Sequence, residues 1–253
     1  MEELFFAKID DLRSRAERGE LAFSGFLNES ERAEAQRYLN SLGEKRALFW
    51  GGYDGAERTK LFVFPDWLEA SSEPLDEYVV PLLISGSGFV RLDHRAFLGS
   101  LLATGIARSV VGDIVIQDDG RSAVVFFDDR IAEYMLTSPD ALVRVGRDKV
   151  KITRYRIPYG FGRRENFVGI NVTVASARLD GVISALVSVS REKAKSMVRD
   201  GLVQLDHVEA LNPDAAVTDG NVISVRGHGK FKIESISERT KKDRLRLIAL
   251  KYV

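Results

Sequence analysis

The chain has 253 residues, 45% of them apolar, a formal net charge of zero, three histidines and no cysteine. That length suits two or three small domains of ordinary globular composition. It excludes disulfides and zinc–thiolate sites, gives no support to a multi-histidine metal centre, and offers no run of about 18 apolar residues to span a membrane. A reducing, cytoplasmic setting fits, and the acidic, amphipathic stretch MEELFFAKIDDL is unlike a signal or transit peptide.

In chain order, residues 2–20 read as a helix and 29–42 as a second, with Asn28 as the cap. ALFWGGYDGAERTKLFVFPDW follows as two apolar runs around a glycine-rich turn, the pattern of a hairpin with a long loop. Its GGYDGAER core lacks the G-x-x-x-x-G-K-[ST] spacing of a phosphate cradle, though its glycines permit close backbone approach. Residues 1–72 are thus expected to form a small N-terminal α/β domain.

Residues 73–158 read strand (YVVPLLISG), helix (DHRAFLGSLLATGI), two strands (GDIVIQDDG and RSAVVFFDD), helix (RIAEYMLTSP) and final strands (ALVRVG, KVKITRYRIP). This β-α-β-β-α-β order predicts a ferredoxin-like plait, the fold shared by RNA-recognition motifs and by many unrelated domains. Phe126 and Phe127 stand on its third strand, but the basic-glycine-aromatic pattern of an RNA-stacking strand is missing, so core packing is expected for at least one ring. His94 and Arg95, which open the first helix of this region, are candidate secondary RNA contacts.

Charge is unevenly spread. Residues 1–143 carry 15 Lys/Arg and 25 Asp/Glu, whereas residues 144–253 carry 22 and 12. Such asymmetry marks a nucleic-acid-binding end or a merely solvated basic surface. Residues 144–164 hold eight Lys/Arg against Asp148 alone, interleaved with Tyr155, Tyr159 and Phe161. Cations neutralise phosphates and rings stack on bases, so Arg154, Arg156, Arg163 and Arg164 are further candidate contacts. Residues 159–169 are expected to be a basic linker.

Residues 170–253 form the last region. RLDGVISALVSVSREKAKSMVRDGLVQLD reads as two helices and a strand. Ser190 is the expected N-cap of the second helix and Gly201 its stop. Ala194, Met197 and Val198 share one side, while Arg191, Lys195 and Arg199, spaced four apart, form a basic column beside Lys193. Short strands follow, with turns at Asp219-Gly220 and Gly227-His228-Gly229.

Arg178-Leu179-Asp180, Leu186, Ser190-Arg191-Glu192-Lys193-Ala194, Met197-Val198, Gly201-Leu202-Val203 and the strand DGNVISVR, residues 219–226, resemble the RNA-binding domain of small-subunit ribosomal protein four, the alpha-L motif. The match departs in two turns, where Asp206-His207 replaces the usual Asn-Gly and Asp-Gly-Asn the usual Gly-Asp. GGYDGAER, FPD at residues 64–66 and HRAFLGSLLATGIARSVVGDI at 94–114 are similar to the YlmH family of bacterial RNA-binding proteins, whose alpha-L domain is also C-terminal. Where that family has His-Arg-Asp, this chain has His94-Arg95-Ala96. The resemblance implies an α+β protein that binds rRNA and tRNA on large ribosomal subunits carrying stalled peptidyl-tRNA. It requires no cofactor, metal, DNA or membrane. Arg178, Ser190, Arg191, Lys193, Lys195, Arg199, Arg226 and Lys230 are the implied RNA-binding residues, with Asp180 structural.

A catalytic role finds little support. Arg91-Leu92-Asp93 echoes a tripeptide of some pseudouridine synthases, but those enzymes usually place the motif domain first. Nucleophile-elbow, Walker and metal-ligand spacings are missing, as are the signatures of tyrosyl-tRNA synthetases. An RNA-modifying enzyme acting through Asp93 or His94 and a cell-division scaffold remain the alternatives to a non-catalytic RNA-binding protein.

Overall fold

The structure, a computed structural model, describes residues 2–69, 75–162, 167–239 and 244–252. The chain divides into two compact units, residues 1–163 and 164–253.

The first unit opens with α1 (Glu2–Glu17), β1 (Ala22–Leu27), α2 (Glu29–Ser41), β2 (Ala47–Trp50) and β3 (Thr59–Val63). α2 starts where its sequence says it should. Asn28 Oδ1 accepts from the Glu31 amide at 2.9 Å, and the Asn28 amide donates to Glu31 Oε2 at 2.7 Å, a closed capping box. β2 and β3 pair as the expected hairpin, but β3 also pairs with β1, so the antiparallel order is β1-β3-β2. The sequence pattern did not mark β1, because AFSGFL is short and lies between two strong helices.

β4 (Val79–Ser85), α3 (His94–Ala103), β5 (Val111–Ile116), β6 (Ser122–Asp128), α4 (Asp129–Thr137) and β9 (Lys151–Arg154) follow, with the two-residue strands β7 (Arg144–Val145) and β8 (Asp148–Lys149) forming a separate miniature hairpin. The second sheet has the order β5-β6-β4-β9, every neighbouring pair antiparallel.

Side-chain alternation stacks these elements into four layers. Leu61 and Val63 of β3 face α1 and α2, meeting Ile9, Leu12, Ala16 and Leu39. Phe62, with Phe26 and Phe64, faces the other way and packs on Val79, Val115, Val124 and Phe126 of the second sheet. The far face of that sheet, including Leu82, Ile84, Val125 and Phe127, packs on Phe97 and Leu101 of α3 and Ala132 and Met135 of α4. Both phenylalanines of β6 are therefore buried, on opposite faces. The regions expected on either side of residue 72 share one apolar seam, which makes them one compact unit.

The seam contains a charge. Lys60 is fully buried, its ammonium 2.5 Å from Asp128 Oδ2, 3.0 Å from the Tyr78 carbonyl and 4.6 Å from the centre of the Phe23 ring. Burial raises the Asp128 carboxyl, but the Lys60 hydrogen bond and charge outweigh it and hold the group below its ordinary value.

The second unit comprises β10 (Phe167–Val174), α5 (Leu179–Val187), α6 (Arg191–Arg199), β11 (Val203–Leu205), β12 (Val208–Glu209), β13 (Val222–Val225), β14 (Gly229–Arg239) and β15 (Leu245–Tyr252). Its six-stranded sheet runs β10-β15-β14-β13-β11-β12. β10 begins at Phe167, so residues 167–169 belong to a strand and not to the linker expected over 159–169. They pair with β15 from Phe167↔Tyr252 to Val174↔Leu245. One sheet face is covered: Val182, Ile183, Leu186, Met197 and Val198 of the two helices pack with Phe231, Ile233, Leu247 and Ala249. Asp206 and His207 both adopt left-handed backbone, φ 49° and 65°, the requirement usually met by Asn-Gly in a two-residue hairpin turn. Asp206 offsets that strain by accepting from the Val222 amide at 2.8 Å and Asn221 Nδ2 at 2.7 Å.

Candidate nucleic-acid interface

α6 is built as its pattern predicts. Ser190 Oγ accepts from the Lys193 amide at 3.2 Å, so this hydroxyl serves as the cap. Ala194, Met197 and Val198 are buried, and Gly201 ends the run with φ 67°. Arg191, Lys193 and Arg199 are exposed, and Lys195 is half-buried with Nζ 2.8 Å from Glu192 Oε1.

The centre of this surface is an anion that the protein hides. Asp180, in the first turn of α5, is fully buried. Its oxygens accept from the Gly181 amide at 2.7 Å and from Arg191 Nε and Nη2 at 2.8 and 3.2 Å, with Arg178 Nε at 3.4 Å. Burial raises the Asp180 carboxyl, yet the Arg191 and Gly181 hydrogen bonds and the two guanidinium charges hold it below the usual carboxylate range. Arg178 also pairs with Asp214, a partner 36 positions away that no local motif announces. The side chains of Arg178 and Arg191 remain 39% and 46% exposed. One buried carboxylate thus fixes two guanidiniums side by side at the surface, where rigid forks match phosphate oxygens.

Arg226 follows the buried Val225 at the end of β13, and its amide donates to the Leu202 carbonyl at 2.9 Å, which ties this turn to the segment just beyond α6. Lys230 lies off the α6 surface. It stands opposite Ser224 in the ladder, alternating with the buried Phe231, and its ammonium lies 5.0 Å from the centre of the Tyr252 ring. It therefore points to the sheet face away from the helices.

The first unit scatters its candidates. His94 lines a cavity of about 250 Å³ with Arg58, Arg108 and Asp113, while Arg95 is exposed on the first turn of α3. That cavity is braced from within. Asp113 accepts from Tyr53 Oη at 2.7 Å and from the Glu57 and Arg58 amides at 2.9 and 3.1 Å, pinning the loop 51–58 to β5. Arg58 donates to the carbonyls of Val111 and Phe26, and Arg108 to that of Val111. Burial, with the Arg58 charge second, lowers the Arg108 guanidinium to about 10. A β-carbon on Gly52, whose φ is 95°, would lie 2.4 Å from the Phe126 ring, so this glycine serves close approach to the protein's own core. Arg154 forms an exposed pair with Glu133 at 3.2 Å, and Arg156 lines a shallow depression with Asp76 and Glu77. Arg163 and Arg164 lie outside the described residues.

Comparison with known proteins adds relatives to this geometry. Residues 4–67 match a family model described as "YlmH, N-terminal", and residues 81–158 one described as "Putative RNA-binding domain in YlmH". The chain is 32% identical over 206 residues to ribosome-associated protein quality control protein P2 of Bacillus subtilis (strain 168), an alignment covering 79% of this chain and 75% of that protein. Among solved structures, the cell division protein ylmH from Streptococcus pneumoniae superposes with a TM-score of 0.50 at 17% identity, covering 61% of this chain and 91% of that one, a likeness of fold.

Proposed function

The chain belongs to the YlmH family, and from that premise we propose that it is a non-catalytic, cytoplasmic RNA-binding protein of ribosome-associated quality control. In this reading the second unit is an alpha-L domain. It docks on structured rRNA and tRNA of large ribosomal subunits that carry stalled peptidyl-tRNA. Arg178 and Arg191, held by Asp180, meet phosphates first, Lys193, Lys195 and Arg199 extend the track, and Arg226 adds a contact from the strand turn. The first unit combines a small α/β domain with a ferredoxin-like plait, for which the order β5-β6-β4-β9 and helices on one face speak.

The observation that carries the proposal is the buried Asp180 with two half-exposed guanidiniums. The guanidiniums keep part of their hydration and stay reachable, while the buried carboxylate fixes their orientation for a phosphate. Ser190 acts here through the helix start, and His94 through the packing of α3, more than through RNA.

The test is binding of the purified chain to large subunits with and without peptidyl-tRNA, over a salt series, for wild type and Arg178→Ala/Arg191→Ala. Each phosphate contact releases counterions, so the double substitution lowers the log–log salt slope by about 2 and weakens binding. A preference for the tRNA-bearing subunit supports quality control. Binding that ignores both salt and the substitutions sinks the proposal in favour of a protein scaffold, and turnover of an RNA substrate that stops with Asp93→Asn supports a modifying enzyme instead.

A further inference from the structure

The two sheets of this protein differ in one respect that bears on RNA. The second sheet of the first unit has no free face: one side packs on the N-terminal sheet and the other on α3 and α4. Single-stranded nucleic acid cannot stack there. Among the described residues, the six-stranded sheet of the second unit is covered by α5 and α6 on one side only.

The register defines its other side. Directly opposed residues share a face, and alternate residues return to it. Phe167 stands opposite Tyr252, Gly169 opposite Leu250, Asn171 opposite Ile248 and Thr173 opposite Arg246. β14 adds Lys232 opposite Leu250 and continues through Lys230 opposite Ser224 of β13. The intervening Phe231, Ile233, Leu247 and Ala249 are buried beneath the helices, which fixes the sense of the alternation.

The composition of this face is specific. Phe167 and Tyr252 form an edge-on pair with ring centres 4.9 Å apart, Phe167 is 37% exposed, and Lys230 lies over the Tyr252 ring at 5.0 Å. Lys232 stands on the neighbouring row, opposite Leu250, while Ile248 and Arg246 are exposed on rows farther along β15. No Asp or Glu stands in register with these residues on β10, β13, β14 or β15 among the described residues; Glu234 sits in the bulge of β14, between the paired Ile233 and Ser235. Gly169 adds open space, since a β-carbon there would meet nothing within 4 Å. Rings flanked by cations are the arrangement on which unpaired bases stack while their phosphates are neutralised.

We propose that this uncovered sheet face is a second RNA surface, on which one or two unpaired nucleotides stack against Phe167 and Tyr252 with their phosphates at Lys230 and Lys232. It rests on the RNA-binding reading but not on the α6 surface, which lies on the opposite side of the sheet. The two surfaces together let one small unit hold a structured RNA with its basic helix and a single-stranded segment with its sheet.

The probe is a fluorescently labelled ten-nucleotide oligouridylate, its anisotropy measured across a salt series with the full chain. Phe167→Leu/Tyr252→Leu keeps the face apolar and is checked for fold by thermal melting. It lowers oligonucleotide affinity about tenfold with little change in salt slope, since stacking is worth about 1–3 kcal/mol per base. Lys230→Gln/Lys232→Gln leaves the rings and lowers the slope by about 1.4, two contacts to a single strand. Arg178→Ala/Arg191→Ala weakens large-subunit binding and spares the oligonucleotide. If a folded Phe167→Leu/Tyr252→Leu protein binds the oligonucleotide as wild type does, the stacking face is overturned while the α6 surface stands. If both face variants lose subunit binding yet hold the oligonucleotide normally, the face docks protein and the inference is equally overturned. Loss of the α6 effect on subunits would instead strike the functional proposal itself.

Discussion

Two buried charges in this protein are mirror images. In the first unit the seam between the sheets buries a cation, Lys60, and encloses it with a carboxylate, a carbonyl and two aromatic rings. In the second unit the buried group is the anion, Asp180, and its two cationic partners reach solvent. The same ion-pair chemistry serves opposite ends. A buried cation satisfied on all sides is a clamp between two sheets and offers nothing to a ligand. A buried anion that turns its guanidiniums outward is a mount, which orders Arg191 and Arg178 at the surface while Asp214 takes a further share of Arg178.

Substitutions can break this contrast. The largest effect is expected at Asp128→Ala, which strands Lys60 in the seam. Removing one partner of a buried pair costs about 3–5 kcal/mol, to be read from urea unfolding of the isolated substitution. Replacing both charges, as Lys60→Met/Asp128→Asn, which keeps an N-cap for α4, recovers most of that loss; a double variant no better than the single would mean that Lys60 does more than clamp.

At Asp180→Asn the expected loss of stability is smaller, about 2 kcal/mol, because the two guanidiniums can rehydrate. RNA binding falls further than stability implies, since Arg178 and Arg191 lose their fixed spacing. Both carboxylates also give a signed pH dependence. Each sits below its unfolded value of about 3.9, so the stability it contributes is complete above that value and is lost as pH falls through and below it. Wild type thus loses stability from about pH 4 downward, and each substitution flattens that arm of the curve.

The smallest effect sharpens the contrast from the surface. Glu192→Gln removes the exposed partner of Lys195 without measurable change in the melting midpoint, because such pairs are solvent-screened. It should tighten RNA binding slightly, by freeing a cation of the α6 track. Unchanged affinity would remove Lys195 from that track.

How far the sequence reached depends on the range of the contacts involved. Asn28 with Glu31, and Ser190 with Gly201, are signals confined to one or two turns, and each ends or starts a helix where the spacing places it. The hairpin of β2 and β3 was equally legible. What escaped depends on partners far along the chain. β1 is recognisable as a strand only once β3 offers it a ladder, and Asp214 as a partner of Arg178 only once residues 36 apart meet. The covering of the second sheet was hidden for the same reason: nothing in RSAVVFFDD says which face Phe126 will use, or that Phe62 will lie on it. Lys230 was read from its place beside the strand turn, and only the strand register assigns it to the face away from the helices.

The pairing of β10 with β15 also sets a timetable. Phe167 finds Tyr252, and Val174 finds Leu245, only after the whole of the intervening helices and strands has been synthesised. Such distant ladders close slowly, because the entropy of a long loop is lost before any contact rewards it. The pairs within residues 1–163 become available earlier in translation, so the clamped unit can be complete while the basic unit is still a helical pair awaiting its flanking strand. A nascent copy would then acquire its sheet platform last, after α5 and α6 have already been synthesised.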